Sequence, residues 1–481
     1  ELLAAFAAEH LRRYGYRSEG PVELVNARVR VRAPAPVAPL VQASWGLDGA
    51  VDGPRVLFLP TTAIELPEGW RAREQDELLL LERVEVPPAQ ERLQRSPRGL
   101  ALWGNRFMSV AEQSGEVLRR LARSVNIRER LDFSCALFDG QGRLVANAPH
   151  IPVHLGAMGE TVRDLLGAVP EPEEGQAWLT NDPAAGGSHL PDLTVISCVR
   201  AGSERWFVAS RGHHADVGGL TPGSMPPHST RLDQEGFLVR RLPLLDAGHF
   251  VLPELPSRLP ETLRADLQAQ VAANAYAARL LKELGSPREI STWMAHLQDS
   301  AAEGATRLFE ALHGGAASDE LDGLELRVSL RASPKGLLVD FGGTQGPHPG
   351  NLNAPPAVVR AAVLYVLRVL AGSQLPLNEG ALRHVELRLP PGSILDPAPG
   401  RAVVGGNVET SQRVVDLLFR AAGARAASQG TMNNLTLGGV REGRDWSFYE
   451  TLGGGVGASA AGPGTWGRQV HMTNTRATDV E

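Results

Sequence analysis

Between Asn181 and Gly219 the chain reads NDPAAGGSHLPDLTVISCVRAGSERWFVASRGHHADVGG, and this stretch restricts the fold more than any other. Two apolar, β-branched runs flank Ala201-Gly202-Ser203-Glu204. Val195, Ile196 and Val199 lie in the first run; Trp206, Phe207 and Val208 lie in the second. The pattern predicts a β-hairpin centred near Gly202-Ser203. Counting outward pairs Leu193 with about Gly212 and Asp192 with about His213. His189 and Asp192 then end one strand, and His213, His214 and Asp216 return beside them, next to a Gly186-Gly187 turn. Imidazole with carboxylate suits a borderline or hard divalent cation. Strand side chains alternate between faces, so one residue of register decides whether His213 or His214 turns inward. The hairpin alone leaves that choice open. Asp182 and Asp216 are spare ligands or groups that orient a ligand.

Composition narrows the functions available. A chain of 481 residues with a hydrophobic share of 43% can bury a large core in more than one domain. Its net charge of -6 offers no basic surplus for nucleic acid or an anionic membrane, so neither is expected as a partner. The only lysines are Lys282 and Lys335, and neither lies near a plausible nucleophile, which disfavours Schiff-base or Ser-Lys chemistry. No G-x-x-x-x-G-K-[ST] phosphate loop and no G-x-S-x-G elbow occurs. Cys135 and Cys198 lie in apolar runs and read as buried thiols, which fits a reducing cytoplasm. The most apolar helical stretch, 357–370, is broken by Arg360 and Arg368 and is no membrane span. Glu1 is not preceded by Met and no signal-peptide pattern follows it, so the chain reads as cut from something longer.

Along the chain, a helix is expected from Glu1 to Tyr16, a half-buried strand over 25–32, and loop over 33–53. Short strands are expected over 56–59, 61–66 and 78–86, with a turn at Gly69-Trp70. Pro87-Pro88 and the charged residues after it mark a linker, placed at 91–100. Phe107, Ala111, Leu118 and Ala122 recur at helical spacing, predicting a long helix over 101–126. A second hairpin follows over 130–145 and a rigid His150/His154 loop after it. Helices are expected over 259–284, 293–313, 356–370 and 411–427, with strands over 324–330, 336–341, 385–389 and 401–404. The sum is an α+β class, a mixed multi-layer fold of hairpins and long helices, with a small β-rich N-terminal segment.

Other candidate residues are more scattered. His154 can serve as a base, a ligand or a loop-fixing donor; Arg130 and Asp132 can form an ion pair. Tyr449-Glu450 can bring a carboxylate to the site. Gly453-x-Gly455-x-x-Ala458 is a near miss to a dinucleotide fingerprint, but Gly462-Pro463-Gly464 follows where a helix is required.

These residues resemble a known family. ERLDFSCALFDGQGRLVANAPHIPVHLGAM, NDPAAGGSHLPDLTVISCV, ASRGHHADVGG, GGNVETSQRVVD, GTMNNLTLG and HMTNTRATDVE are similar to the hydantoinase B/oxoprolinase family. HLRRYGY, VELVNARVRVRA and TTAIELPEGWRA resemble the C-terminal end of hydantoinase A. The resemblance implies an A-type end over 1–90 and a B-type domain over 101–481. It implies an ATP-dependent cyclic-amide hydrolase of the oxoprolinase kind. An A-type ATPase partner would use ATP to phosphorylate the amide oxygen, and the B-type half would complete hydrolysis. The alternatives are an N-methylhydantoinase or acetone-carboxylase-type subunit, or a non-catalytic assembly subunit. A divalent metal (Mn, Zn or Mg) is implied at His189, Asp192 and His214, the resemblance choosing His214 over His213. His154 and Glu450 are the candidate catalytic residues, and an oligomer is expected.

Overall fold

In a computed structural model, the described residues are 2–16, 47, 49–58, 63–75, 78–84, 93–148, 151–154, 156–246, 248–372, 375–376 and 378–478. Residues 1–19 with 95–481 form one compact unit, and 20–94 form another. The strand expected over 25–32, Pro87-Pro88 and His150 lie outside the described residues; of the linker expected over 91–100, Pro97–Leu100 form the start of a helix.

Among the described residues, the smaller unit holds five short strands: β1 (Val51–Asp52), β2 (Arg55–Phe58), β3 (Ala63–Leu66), β4 (Trp70–Gln75) and β5 (Leu78–Arg83). They form a three-stranded sheet, β1-β4-β5, and a β2-β3 hairpin around Leu57, Leu66 and Ala72. The charged sequence WRAREQ forms β4, where only a turn was expected. Arg73 pairs with Glu82 across β4 and β5, and only Ala72 of β4 is buried, so hydrophobic alternation is a weak signal there.

In the larger unit, the predicted hairpin is β9 (Asp192–Ala201) with β10 (Glu204–His213). Its register pairs Leu193 with Gly212 and Asp192 with His213, as the turn position requires. Before it come β6 (Phe133–Phe138), β7 (Leu144–Asn147) and β8 (Ala177–Thr180); after it come β11 (Leu242–Asp246) and β12 (His249–Phe250). Together they make a seven-stranded antiparallel sheet of order β12-β11-β8-β9-β10-β6-β7.

Both faces of this sheet are covered, which is why the strands read as apolar runs rather than alternating ones. On one face Val199, Trp206 and Val208 pack with Trp103 and Phe107 of the helix Pro97–Leu121 and Leu281 of the helix Pro260–Glu283. On the other, Ile196, Cys198, Phe207 and Ala209 meet Met158, Val162 and Leu165 of the helix Ala157–Ala168. The helix Pro287–Ala311 starts six residues earlier than its apolar pattern implies, because Ser286 and Glu289 form a capping box. Neither cysteine is in a disulfide and both are buried, and burial pushes Cys135 up to about 12 and Cys198 up to about 11.

A second sheet, β13 (Gly315–Leu321), β14 (Leu324–Ser333), β15 (Gly336–Asp340) and β16 (Val385–Arg388), packs on the helices Pro356–Ala371 and Ser411–Ala421. Residues 401–404 form no strand; only Arg401 bridges to Arg231. The helix expected to reach 427 stops at Ala421, and a π-helical turn, Gly406–Thr410, precedes it. A last hairpin joins β17 (Asn434–Arg441) to β18 (Arg444–Thr451). The described glycine-dense tract after it forms no helix, in keeping with rejection of a dinucleotide fingerprint.

Candidate metal centre

Directly paired residues of an antiparallel ladder project to the same face. Asp192 and His213 are such a pair, and both turn to the face covered by the helix Ala157–Ala168. His213 Nδ1 lies 3.4 Å from Asp192 Oδ1, and His189 Nε2 lies 3.1 Å from the same oxygen. His189, Asp192 and His213 each offer a ligand atom, all within 4.8 Å of one another, and all three residues are buried. His189 Nδ1 and His213 Nε2 have no hydrogen-bond partner. Two buried imidazoles around one carboxylate, with ring nitrogens left over, fit a divalent cation of borderline character.

His214 does not join this group. One residue on, it turns to the opposite face, where Nε2 meets Oε1 of Gln270 at 2.9 Å on the helix Pro260–Glu283. Burial lowers its pKa, against Asp266 and Gln270, so it stays neutral. Strand alternation thus sets these two neighbouring histidines on opposite faces of the sheet. Nor is Asp216 a ligand in this geometry. It accepts from the backbone N–H groups of Gly218, Gly223 and Arg258, and pairs with Arg258 at 3.1 Å. Asp182 caps the short turn Pro183–Ala185 and lies 3.4 Å from Arg240. Both aspartates shape the loops around the site.

His154 is brought in from the turn Pro152–His154. Its Nε2 lies 3.3 Å from Asp192 Oδ2, and its Nδ1 lies 2.9 Å from Ser134 Oγ. Ser188 Oγ also donates to Asp192 Oδ2. Burial alone would push the Asp192 carboxyl up; the imidazoles of His189 and His154 outweigh it and hold the group well below the usual carboxylate range.

Glu450 is placed differently. Tyr449 and Glu450 adjoin on β18 and therefore face opposite ways. The Tyr449 ring stacks on His213 at 4.8 Å and 6°. Glu450 instead accepts from the backbone of Thr451 and Thr478 and lies 3.6 Å from Arg130 Nε. Burial would raise its pKa, but the Thr478 and Thr451 hydrogen bonds and the Arg130 charge lower it. Arg130 is fully buried, with its guanidinium 4.4 Å from the Tyr449 ring centre and Nη2 donating to Thr451 at 2.6 Å. It also lies 3.8 Å from Asp132.

Three further residues carry no readable sequence signal as functional groups. Arg211, on the Asp192 face of β10, donates to Thr194, Thr161 and the carbonyl of Gly186. Burial lowers it to about 10, still cationic at neutral pH, and Asp192 supplies the opposing charge. Gly186 (φ 84°) tolerates this approach because a Cβ there would come within 2.5 Å of Thr161 N. Tyr449 is buried, which raises its pKa and keeps it protonated. Asn407, on the π-helical turn, sets Nδ2 3.3 Å from His189 Nε2. A Cβ at the preceding Gly406 would lie 1.9 Å from the Asn353 carbonyl, so glycine is required for this chain crossing. The Gly405-Gly406 pair was the one available hint.

His154, Asp192, His213, Asn407 and Tyr449 line the polar side of a small cavity of about 10 Å³. Ile151, Val153, Met432 and Met472 close its apolar side. Such a place excludes bulk water while presenting nitrogen and oxygen donors to one point.

The profile of the Hydantoinase B/oxoprolinase family matches residues 96–481. The chain is 44% identical over 445 residues to 5-oxoprolinase 1 of Arabidopsis thaliana, covering 83% of this chain and 35% of that protein. It is 43% identical over 412 residues to 5-oxoprolinase of Dictyostelium discoideum, covering 80% of this chain and 32% of that protein. The chain thus spans about a third of the length of these relatives. Its fold is similar to that of an ATP-dependent caprolactamase from Pseudomonas jessenii, with TM-score 0.71 at 22% identity, covering 80% of this chain and 72% of that one. With four-fifths of its length matched by the family profile, the chain belongs to the hydantoinase B/oxoprolinase family.

Proposed function

We propose that this chain is the metal-dependent half of an ATP-dependent cyclic-amide hydrolase acting on 5-oxoproline. The observation that carries the reading is the buried His189/Asp192/His213 group within a chain 44% identical to a 5-oxoprolinase. His189, Asp192 and His213 would hold the cation, which would supply Lewis-acid polarisation at an oxygen. Mn, Zn and Mg all remain candidates for donors of this kind.

The chain's own residues do the rest. An amide resists hydrolysis because its carbon is a poor electrophile and its nitrogen leaves poorly; phosphorylating the amide oxygen in an A-type part, at the expense of ATP, makes that carbon open to attack by water, and the phosphoryl group later departs as phosphate. His154 Nε2 is the group placed to hold and return a proton beside Asp192. Tyr449, protonated, orients His213 by stacking. Glu450 acts at one remove, anchoring Arg130 against Tyr449. A five-membered ring exceeds the cavity, so binding displaces lining side chains; Met432 and Met472, unbranched, yield most readily.

Residues 1–90 belong, in this reading, to the C-terminal end of an A-type part. A cytoplasmic setting agrees with two buried cysteines outside any disulfide. Among the described residues, no helix is long and apolar enough to cross a membrane. The test is co-expression with a complete A-type part, metal analysis, and an assay for ATP-dependent glutamate release from 5-oxoproline. Turnover of hydantoins without release of glutamate would assign the chain to a hydantoinase instead.

A further inference from the structure

His471 has a left-handed backbone, φ 52°, a conformation that is sterically costly for a residue with a side chain and persists only where its surroundings enforce it. Its ring is buried, and Nε2 donates to Asp416 Oδ1 at 2.9 Å on the helix Ser411–Ala421. Asp416 is itself held by Ser428, whose backbone N–H donates to Oδ1 at 2.8 Å and whose hydroxyl donates to Oδ2 at 3.0 Å. Phe419 and Tyr365 enclose the imidazole, with ring centres at 5.5 and 5.9 Å. One turn back on the same helix face, the buried Gln412 grips the backbone on either side of His471. Its Nε2 donates to the Val470 carbonyl at 3.1 Å, and its Oε1 accepts from the Met472 N–H at 3.3 Å. One face of one helix thus holds three successive residues, by carbonyl, ring and N–H.

Asp416, Gln412 and His471 do not line the cavity beside the His189/Asp192/His213 group, but what they hold does: Met472 and Thr473 form part of its wall. The Met472 carbonyl accepts from the Val153 N–H at 3.2 Å, and Val153 precedes His154, whose Nε2 lies 3.3 Å from Asp192 Oδ2. Contacts therefore run from Asp416 through His471 and Met472 to the turn that carries His154. We propose that His471 is a positioning residue: clasped by Asp416, it fixes the Met472–Thr473 wall and, through the Met472 carbonyl, the turn that presents His154. The Met472 side chain stays free to yield to a ring while its backbone is kept in place. The inference rests on the hydrolase reading and deepens it by naming what keeps the proton-handling imidazole in register.

The test uses the metal-loaded holoenzyme, this chain together with its ATP-using part, and follows ADP formation and glutamate release in one reaction. A variant that is merely less stable leaves their ratio unchanged below its melting transition, and one that loses its fold loses metal as well. His471→Gly suits the left-handed backbone and removes only the ring. It is expected to release roughly ten-fold less glutamate per ADP, with metal content unchanged. The phosphorylated ring is then lost by attack of water at phosphorus: the bond from phosphorus to the amide oxygen breaks, the ring nitrogen takes back a proton, and 5-oxoproline and phosphate are returned. Asp416→Ala should lower the ratio as much, and the double variant no further, because each residue acts through the other. Amide hydrogen exchange, which needs no turnover, should quicken at Val153 and Met472 in His471→Gly and stay unchanged along β9. An unchanged ratio in His471→Gly overturns the inference. So does unaltered exchange at Val153, or a double variant whose loss is the product of the two single losses. If melting shows that a variant does not fold, His471→Asn, which also tolerates the left-handed backbone, or Asp416→Asn, which keeps the shape, takes its place. A wild type that releases no glutamate from 5-oxoproline removes the hydrolase reading, and exchange at Val153 still judges the clasp. One that does release it, with an unchanged ratio in His471→Gly, removes the inference only.

Discussion

At the Ala201–Glu204 turn, Arg200 donates to Glu171 at 2.7 Å and Arg205 approaches it at 3.6 Å, with the Glu171 side chain 78% exposed. At the far end of the same two strands, Asp192, His189, His213 and Arg211 are each 3% exposed or less. The residue types are alike and the ladder is continuous, yet their surroundings differ in kind. At the turn, water solvates every charge, so pairing adds little. At the site, each charge depends on a particular neighbour, and removing that neighbour leaves an uncompensated group in the interior. Sensitivity to mutation should therefore rise steeply along one hairpin.

The largest effect is expected at Asp192. Asp192→Asn keeps the shape and removes the charge shared by His189, His154 and His213 and facing Arg211. Metal affinity should fall at least about 100-fold, and the metal-free protein should lose about 3–5 kcal/mol in urea unfolding. Metal analysis showing full occupancy in this variant would remove the proposed centre.

Neighbouring histidines give the next contrast. His213→Gln should lose metal about as severely as the aspartate variant. His214→Gln should bind metal normally and lose only about 1 kcal/mol through its contact with Gln270. The reverse pattern would restore the ligand choice implied by family resemblance. Arg211→Met comes third. It strands Thr194, Thr161 and the Gly186 carbonyl without their donor, a cost of about 1–3 kcal/mol. Hydrogen exchange should quicken over 181–188 and stay unchanged at the turn.

How much of this was legible beforehand follows from the same hairpin. The turn and the two apolar runs located the hairpin but left open whether His213 or His214 turns inward; the observed register puts His213 beside Asp192. The family resemblance implies His214, whereas in the structure His214 lies on the other face, against Gln270. Long helices were readable from their apolar spacing. The helix start at Pro287 and strand β4 were not, since a cap and a charged edge carry little hydrophobic pattern. Asn407, Tyr449 and Arg130 reach the site from chain segments far from His189 and His213 in sequence. No local period encodes a meeting of that kind. Glu450 looked available because it adjoins Tyr449, and alternation along β18 turns it to Arg130 instead.

The smallest effect should come at the turn, and it is the control that gives the others meaning. Glu171→Gln removes the carboxylate that Arg200 and Arg205 share. Arg200 keeps its bond to the Pro172 carbonyl at 2.8 Å, and Arg205 keeps the Pro170 and Gly140 carbonyls, so neither guanidinium is left without an acceptor. Hydrogen bonding to Arg200 lowers the pKa of Glu171, but solvent screens that interaction almost completely. Melting temperature should move by no more than about 1 °C, and metal content should not move at all. A shift at the turn as large as that of Arg211→Met would mean that the hairpin responds as one rigid unit. The gradient from solvated to functional charge would then have to be given up.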